Sequence, residues 1–355
     1  MPLRPLTAQI VGSYAKPHWL ARHERMRAHD DSFWRPEREV LREARQDAAR
    51  LAIYEQERAG LDIVTDGEAQ RAAYDQHFLR ALTNIDFSSS ERRKFAGEVT
   101  TVRRREDLVE EYASLSEILP RVTGDIGWQG PIALEELKFL KSVARRPVKA
   151  SVVGALTLST RLADNFYHDE EALVLAIASA LNCELLALQA GGADVLQIDE
   201  PSFHFRLSSA RRFGKAAITR MTAGITVPVI VHVCYGYALV FQEKSASPTY
   251  PEVLELLADC PIAGISLEYE QPGHAPSLLR HCGDKHVLLG LLDLSIAEIE
   301  TVGHIARRVR EALEVVPAER LHPCSDCGMW YKSREIAFGK ISALAQATAV
   351  VRRER

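Results

Sequence analysis

The stretch VPVIVHVCYG, residues 227–236, starts as an apolar run and ends in a histidine and a cysteine. Other short apolar runs repeat this pattern and alternate with amphipathic, helix-type segments. These runs are QIVGSY (9–14), LDIVTDGE (61–68), VKASVVGAL (148–156), DVLQIDEP (194–201), IAGISLEYE (262–270), HVLLGLLDL (286–294) and RLHPCSDCGM (320–329). Nearly continuous apolar strands that alternate with helices are typical of a parallel sheet buried on both faces. Eight such units predict an α/β fold, namely a (β/α)8 TIM barrel, with a doubly wound open sheet as the alternative.

Nearly every predicted strand ends in polar or reactive residues: GS, DGE, DEP, HVC, LEYE, LLD and SDCG. In a barrel the carboxyl ends of the strands converge on one mouth, where active sites form. A single polar strand end is explained by a strand that enters a solvent-exposed loop. Seven such ends together predict a site at this mouth. Nucleotide binding has no motif support, because neither a G-x-G-x-x-G after the first strand nor a G-x-x-x-x-G-K-[ST] occurs.

Residues 86–146 interrupt the alternation with polar and alternating stretches. They predict an excursion, a hairpin with helices, inserted after the second barrel strand of a single catalytic domain that spans residues 1–355. A later helical pattern, residues 295–316, begins with Ser295 and Glu298, which have the spacing of a capping box. We therefore expect that helix to start at Ser295.

The composition is that of an ordinary globular protein, with 355 residues, 46% hydrophobic and 26% charged. A net charge of -4 argues against nucleic acid or an anionic membrane as the main partner. No continuous apolar run approaches the roughly 18 residues of a membrane span, and no secretory leader is evident. Six cysteines in a chain this long are more consistent with thiols or ligands than with a disulfide framework. We therefore expect a cytoplasmic protein.

Four potential metal ligands lie at predicted strand ends. His232 and Cys234 are two positions apart, so in a strand their side chains point to the same face. Glu268 ends the next strand, and Cys327 follows the last one. Zinc binds imidazole, thiolate and carboxylate groups in tetrahedral sites, and thiolates favour it over magnesium or calcium. Two alternatives stay open: a site that also uses Cys324, and a packed core that binds no metal.

Three of these strand ends together resemble the zinc-binding motifs of the cobalamin-independent methionine synthase family. They are VHVCYG (231–236), ISLEYE (265–270) and PCSDCGM (323–329). IVGSY (10–14), TDGE (65–68) and LQIDEP (196–201) resemble further strand ends of its C-terminal catalytic barrel. The resemblance runs from about residue 8 to residue 345. The long members carry an extra N-terminal barrel that has no counterpart in these motifs, so the sequence resembles the short, single-barrel branch.

The resemblance implies a Zn2+ site and a substrate site, each with its own residues. Zinc would be held by His232, Cys234, Glu268 and Cys327. A homocysteine-like amino acid would be held by Gly12, Ser13, Glu68 and Asp199. Two carboxylates suit an α-ammonium group, and a backbone amide with a hydroxyl suits an α-carboxylate.

This site predicts zinc-dependent alkyl transfer, in the first place methyl transfer, to a thiol. A free thiol has a pKa near 8.5, and binding to zinc removes its proton at neutral pH. We further hypothesise that Glu268 loosens from the metal to admit the substrate sulfur. The product would be methionine or a related thioether.

The donor half of the resemblance is incomplete. Ser295 stands where long family members have a histidine, so Asp293 is the remaining candidate catalytic residue there beside Glu268. Thr160 and Arg161 stand where a folate-stacking tryptophan is expected. The methyl donor therefore stays open between a folate and a corrinoid, the latter with a corrinoid protein as a possible partner. Two other functions also stay open: thiol addition to an epoxide, as in coenzyme M transferases, and a non-catalytic metal-binding barrel.

Overall fold

The computed structural model describes residues 3–25, 31–92, 98, 101–104 and 118–355. Its strands are β1 (Ile85–Arg92), β2 (Val102–Arg104), β3 (Ile118–Val122), β4 (Lys149–Val153), β5 (Ala163–Asp164), β6 (Val195–Asp199), β7 (Val229–Val233), β8 (Phe241–Lys244), β9 (Gly264–Leu267), β10 (His286–Gly290) and β11 (Leu321–Cys324).

The α-helices in the described residues surround the strands. They are α1 (Leu41–Ala59), α2 (Tyr74–Leu79), α3 (Leu134–Val143), α4 (Ala155–Ser159), α5 (Glu170–Ala190), α6 (Ser202–Phe205), α7 (Leu207–Ser209), α8 (Lys215–Met221), α9 (Tyr250–Ala258), α10 (Val302–Leu313) and α11 (Arg334–Arg353). Short 3-10 turns span His23–Arg25, Asp31–Phe33 and Pro276–Cys282, and a π-helical turn spans Ala210–Gly214.

Six strands form one parallel sheet in the order β11-β10-β9-β7-β6-β4. Each of them coincides with a predicted apolar run. The two remaining predicted barrel strands, residues 9–14 and 61–68, lie in segments that make only isolated backbone hydrogen bonds to their neighbours and are not regular strands.

These two segments connect the edges of the parallel sheet. On one side, the amides of Leu6 and Gln9 donate to the carbonyls of Leu321 and Pro323 in β11, at 3.0 and 3.1 Å. Between the segments, Asp62 N donates to Ala8 O at 2.9 Å.

On the other side, the backbone of Val64 bonds to the start of β4. Lys149 N donates to Val64 O, and Val64 N donates to Pro147 O, both at 3.0 Å. Hydrogen bonds therefore run around a ring of eight chain segments, which confirms the predicted TIM barrel and leaves no support for the open sheet.

Alternate side chains along each strand point into the ring. Apolar ones pack at one level and include Val11, Ile63, Val195, Ile230, Leu288 and Cys324. Two positions further along β6 and β7 stand Gln197 and His232. Because side chains two apart share a face, the polar residues at the carboxyl ends face the same interior above this apolar layer.

The other strand face packs against the helices. Leu196 and Ile198 of β6 and Leu181 and Leu185 of α5 are fully buried in this core, and each such leucine contributes about 1.5–3 kcal/mol by leaving water. Asp169 caps the start of helix α5, because its side chain accepts hydrogen bonds from the backbone amides of Glu171 and Ala172.

Helix α5 is also long and apolar enough to span a membrane, yet half of its apolar stretch is buried inside the protein. The expectation from sequence that no segment approaches the length and apolar character of a membrane span is therefore wrong for this helix. Buried core helices pass the same criterion.

The excursion lies between the second barrel segment and β4. In its described part, β1 pairs antiparallel with β3, and α3 follows. Strand β2 pairs antiparallel with β8, which comes directly after the barrel strand β7. The remainder of residues 86–146 (93–97, 99–100 and 105–117) lies outside the described residues, and the single-domain assignment stays a prediction.

The predicted capping box at Ser295 is wrong. Helix α10 begins at Val302, and Thr301 caps it by accepting a hydrogen bond from His304 N at 3.1 Å. Ser295 instead donates its hydroxyl to Oδ1 of Asp293 at 2.6 Å. Asp293 therefore binds the Ser295 hydroxyl that the predicted capping box would have required.

Candidate metal and substrate site

Three predicted ligands converge at the mouth of the barrel. The ligand atoms of His232, Cys234 and Cys327 all lie within 4.8 Å of one another, and all three residues are buried. His232 lies in β7, Cys234 follows directly after it, and Cys327 lies in the loop after β11. The period-two geometry of the strand brings the first two together, and barrel closure brings the third.

The imidazole of His232 is oriented for ligation. Its Nδ1 lies 2.9 Å from Oγ of Ser266 in the neighbouring strand β9. Its Nε2 is buried without a nitrogen or oxygen partner among the described residues, and the ring's other neighbour is the thiol of Cys234. A hydrogen-bond partner on one ring nitrogen fixes the orientation of the imidazole, so that the other nitrogen can bind a metal.

The two thiols are hydrogen-bonded to each other. A hydrogen bond from Cys327 lowers the pKa of the Cys234 thiol well below its ordinary value, and His232 lowers it further. The same contact, together with burial, raises the pKa of Cys327. The contact therefore favours the thiolate form at Cys234 over Cys327, and thiolate is the form that binds metals.

Glu268 lies beside this cluster and is paired with a lysine. Both carboxylate oxygens of Glu268 lie 2.9 Å from Nζ of Lys244, and both side chains are completely buried. Burial raises the pKa of the Glu268 carboxyl to about 7, although Lys244 acts in the opposite direction. The thiol of Cys324 lies in the apolar layer below, so the metal-ligand cluster contains Cys327 without Cys324.

These donors fit zinc. Two thiols and an imidazole with a buried Nε2 are the sulfur and nitrogen ligands that zinc prefers, and a carboxylate lies within reach of a lysine beside them. In a purely structural core the buried Nε2 of His232 would have only the thiol of Cys234, a weak hydrogen-bonding group, as its partner.

Gly12 and Ser13 form a tightly packed corner of the site. A β-carbon on Gly12 would lie 2.7 Å from Oε1 of Glu68, so a larger residue there would displace the Glu68 carboxylate. A β-carbon on Gly328 would collide with Oγ of Ser13. The Ser13 hydroxyl is buried and has no hydrogen-bond partner among the described residues, so it is available to a ligand.

Glu68 adopts a backbone conformation that is unusual for a residue with a side chain. Its φ is +53°, directly after Gly67 at +69°. Such left-handed residues cost free energy and cluster at functional sites. Oγ of Ser151 donates to Oε1 of Glu68 at 3.0 Å, and Arg71 Nη1 donates to the Ser151 carbonyl at 3.1 Å. Together these contacts fix the Glu68 carboxylate.

Asp199 ends β6 next to His232, its register partner in β7. Nε2 of Gln197 donates to its Oδ1 at 2.7 Å. Burial raises the pKa of Asp199 to about 7, while the charge of His232 opposes that rise. The carboxylate is therefore ready to gain a cationic partner.

One cleft connects these groups. The described residues that line it include Ser13, Glu68, Asp199, His232, Cys234 and Cys327. Thr160 and Arg161 line it as well, and Nε of Arg161 lies 2.7 Å from the Asp75 carboxylate. Gly12 and Glu268 are outside this lining. Gly12 packs against the lining residue Glu68, and Glu268 is paired with Lys244, whose Nζ donates to the carbonyl of the lining residue Gly236 at 2.6 Å.

Asp293 is not brought to the cleft in the described structure. Its Oδ1 accepts hydrogen bonds from the amide and hydroxyl of Ser295, at 2.8 and 2.6 Å. Its carboxylate therefore closes a local turn, and a catalytic role for Asp293 stays a prediction.

Sequence reasoning missed several supporting residues. Gln197 and Ser266 are polar residues inside apolar strands, two positions before Asp199 and Glu268, so the period-two pattern could have identified them. Ser151 is a polar residue inside β4, but no site residue ends that strand. Lys244 carries no such signal, because it lies in β8, outside the barrel strands.

Comparison with known proteins agrees with this geometry. A family model described as "Cobalamin-independent synthase, Catalytic domain" matches residues 6–350. The methionine synthase of Saccharolobus solfataricus is 28% identical, covering 100% of this chain and 96% of its own length. That of Pyrococcus abyssi is 27% identical, covering 100% and 95%.

A solved structure is similar over nearly the whole chain. It is a B12-independent methionine synthase from Shewanella sp. W3-18-1 in complex with selenomethionine, 31% identical, with a TM-score of 0.85 and coverage of 99% of this chain and 98% of that chain. The chain belongs to the family of cobalamin-independent methionine synthase catalytic domains and is a methyltransferase of that family.

Proposed function

We propose that this methyltransferase carries out zinc-dependent methyl transfer to the thiol of homocysteine and forms methionine. The observation that carries this proposal is the cluster of His232, Cys234 and Cys327 ligand atoms, within 4.8 Å of one another, in a cleft that also holds the Glu68 and Asp199 carboxylates. The first group suits a thiol-activating metal and the second suits an amino acid.

The metal ligands would be Nε2 of His232, the sulfurs of Cys234 and Cys327, and the Glu268 carboxylate. When bound there, zinc supplies a Lewis acid that lowers the pKa of a thiol, so that a nucleophilic thiolate exists at neutral pH. Ser266 holds the His232 ring through Nδ1 and keeps Nε2 directed at the ligand position.

The amino-acid end of the substrate would lie between the two cleft carboxylates and the Gly12–Ser13 corner. Glu68 and Asp199 would accept hydrogen bonds from the α-ammonium group, and the free hydroxyl of Ser13 would donate to the α-carboxylate. The Shewanella relative was solved with selenomethionine, an amino acid of the product type, which supports this assignment. Two buried carboxylates disfavour a sulfonate thiol such as coenzyme M.

The methyl donor would occupy the more apolar part of the same cleft. Its lining there includes Tyr74, Phe205, Tyr237 and Phe241. Aromatic side chains suit a donor with a large ring system to pack against, which both folates and corrinoids have. Because the lining does not separate these donors, both belong in the assay.

The reaction also suits a reducing compartment. All six cysteines are free thiols, and two of them are the proposed ligands. We therefore place the protein in the cytoplasm, where thiols stay reduced.

The test is a methyl-transfer assay with the zinc-loaded protein and homocysteine. Methyltetrahydrofolate, its polyglutamate form and methylcobalamin serve as separate donors, and Cys327→Ser is the matched inactive variant. Methionine formation with at least one donor, lost in Cys327→Ser, supports the proposal. A stoichiometric zinc protein that forms no product with any donor refutes it and favours the epoxide or non-catalytic alternative.

A further inference from the structure

Lys244 contacts Glu268, beside the cluster of His232, Cys234 and Cys327, from a strand outside the barrel. It ends β8, and its Cα pairs with that of Val102 in β2 of the excursion. Its Nζ donates to both oxygens of Glu268 at 2.9 Å and to the carbonyl of Gly236 at 2.6 Å. The ammonium group is thus fixed between a backbone carbonyl and the predicted fourth metal ligand.

We propose that Lys244 is a positioning residue that accepts the Glu268 carboxylate when the substrate thiol takes its place at the metal. The inference rests on the proposed function, in which Glu268 and the substrate sulfur use the same ligand position. Lys244 then determines how easily that position becomes available.

The reason is the cost of a buried charge. Glu268 and Lys244 are both 0% exposed as side chains. A carboxylate released from a metal into this interior, without a cation beside it, would carry a large desolvation penalty. Lys244 is already within hydrogen-bond distance, so the released carboxylate exchanges one cation for another and stays paired.

The charges of the whole site lead to the same conclusion. Zn2+ with two thiolates and one carboxylate has a net charge of -1, and a substrate thiolate adds another negative charge. The fixed ammonium group compensates the charge of the Glu268 carboxylate at a distance of about 3 Å, where Coulomb attraction in a buried site is strong.

The position of Lys244 is set by the excursion. Its strand β8 is held by antiparallel pairing with β2, whose register joins Val102 to Lys244 and Arg103 to Glu243. The inserted segment therefore holds Lys244 in position, and Lys244 in turn holds the proposed metal ligand Glu268. This gives the excursion a role in the metal site.

The experiment replaces zinc with Co2+, whose visible absorption reports its ligands, and titrates the protein with homocysteine. Four proteins are compared: wild type, Lys244→Met, Glu268→Gln and the double variant. Lys340→Met is the control, because Lys340 forms a similarly buried ion pair with Glu300, Nζ to Oε1 2.8 Å, that does not involve the metal cluster. Circular dichroism confirms that each variant is folded.

We expect Lys244→Met to bind cobalt but to need at least about tenfold more homocysteine at the midpoint of the spectral change. In the Glu268→Gln background the same substitution should shift the midpoint less than about threefold, since no carboxylate charge remains to be held. Lys340→Met should titrate like the wild type.

Two results overturn the inference while leaving the proposed function intact. One is a wild-type midpoint in Lys244→Met, and the other is an equal loss of affinity in both backgrounds, which would mean that Lys244 does not act through Glu268. A wild-type protein that binds no cobalt, or whose spectrum does not respond to homocysteine, refutes the proposed function itself and the inference with it.

Discussion

Oε1 of Glu68 lies so close to the backbone of Gly12 that a β-carbon there would be 2.7 Å from it. Gly12→Ala should therefore push the Glu68 carboxylate out of its position at the amino-acid subsite. We expect the KM for homocysteine to rise at least about tenfold, which corresponds to about 1.4 kcal/mol.

Steady-state kinetics of Gly12→Ala checks this expectation. Gly303→Ala in helix α10 is the matched control, because a β-carbon at Gly303 meets nothing within 4 Å. A wild-type KM in Gly12→Ala would contradict the placement of the substrate ammonium group beside Glu68.

Ser151 connects Glu68 to Arg71 beneath the cleft. Its hydroxyl donates to Oε1 of Glu68 at 3.0 Å. Hydrogen bonds to charged groups contribute about 1.5–3 kcal/mol, so Ser151→Ala should raise the KM for homocysteine roughly tenfold or more and leave kcat within about twofold. Ser342→Ala, which removes a hydroxyl from helix α11, is the control. A fall in kcat with an unchanged KM would show that Ser151 acts elsewhere.

Cys327 completes the metal cluster from the loop after β11. Loss of a supporting residue around a metal site typically lowers affinity 10–100-fold, so loss of this ligand should lower zinc affinity by at least about 100-fold. Metal analysis after dialysis against a chelator measures it in Cys327→Ser. Cys183→Ser should keep the wild-type zinc content, because Cys183 lies in helix α5. Retained zinc in Cys327→Ser would remove this residue from the ligand set.

Glu136 and Arg71 form a buried ion pair, Nε to Oε2 2.8 Å, that holds the loop bearing Glu68. Burial alone would raise the pKa of Glu136, but the charges of Arg71 and His77 lower it to about 2. Because the folded-state pKa is depressed, the carboxylate stabilises the fold above its ordinary pKa of 4.5. That stabilisation is lost as the pH falls from about 4.5 to about 2.

Glu136→Gln should therefore be less stable than the wild type at pH 7, by roughly 3 kcal/mol, and the difference should shrink in acid. Urea unfolding at pH 7, 4.5 and 3 measures the free energy of unfolding of both proteins. A difference that is independent of pH would mean that the Glu136 charge is not what stabilises the loop.

The barrel and its metal cluster were predictable because they depend on local patterns. Apolar runs identify strands, and parallel strands must bring their carboxyl ends together, so His232, Cys234 and Cys327 could be placed in one site from sequence. The first two barrel segments are less regular than the pattern suggested, since residues 6–14 and 61–67 bond to their neighbours only in places.

Lys244 and the start of helix α10 could not be predicted in the same way. Lys244 reaches Glu268 only because β8 pairs with β2, a contact between segments far apart in the chain that leaves no periodic signal. The capping box failed because two signals compete within a few residues. Asp293 captures the Ser295 hydroxyl, and Thr301 caps the helix instead. Cys324 and Cys327 form a C-x2-C pair in sequence, but the strand places Cys324 in the apolar layer.

The number of sulfur neighbours of zinc, measured by X-ray absorption before and after addition of homocysteine, tests the central claim most directly. The ligand set predicts two sulfurs at about 2.3 Å in the zinc-loaded protein, rising to three when homocysteine binds. Two sulfurs that stay two at saturating homocysteine, or a zinc ion without sulfur neighbours, would contradict thiol activation at His232, Cys234 and Cys327.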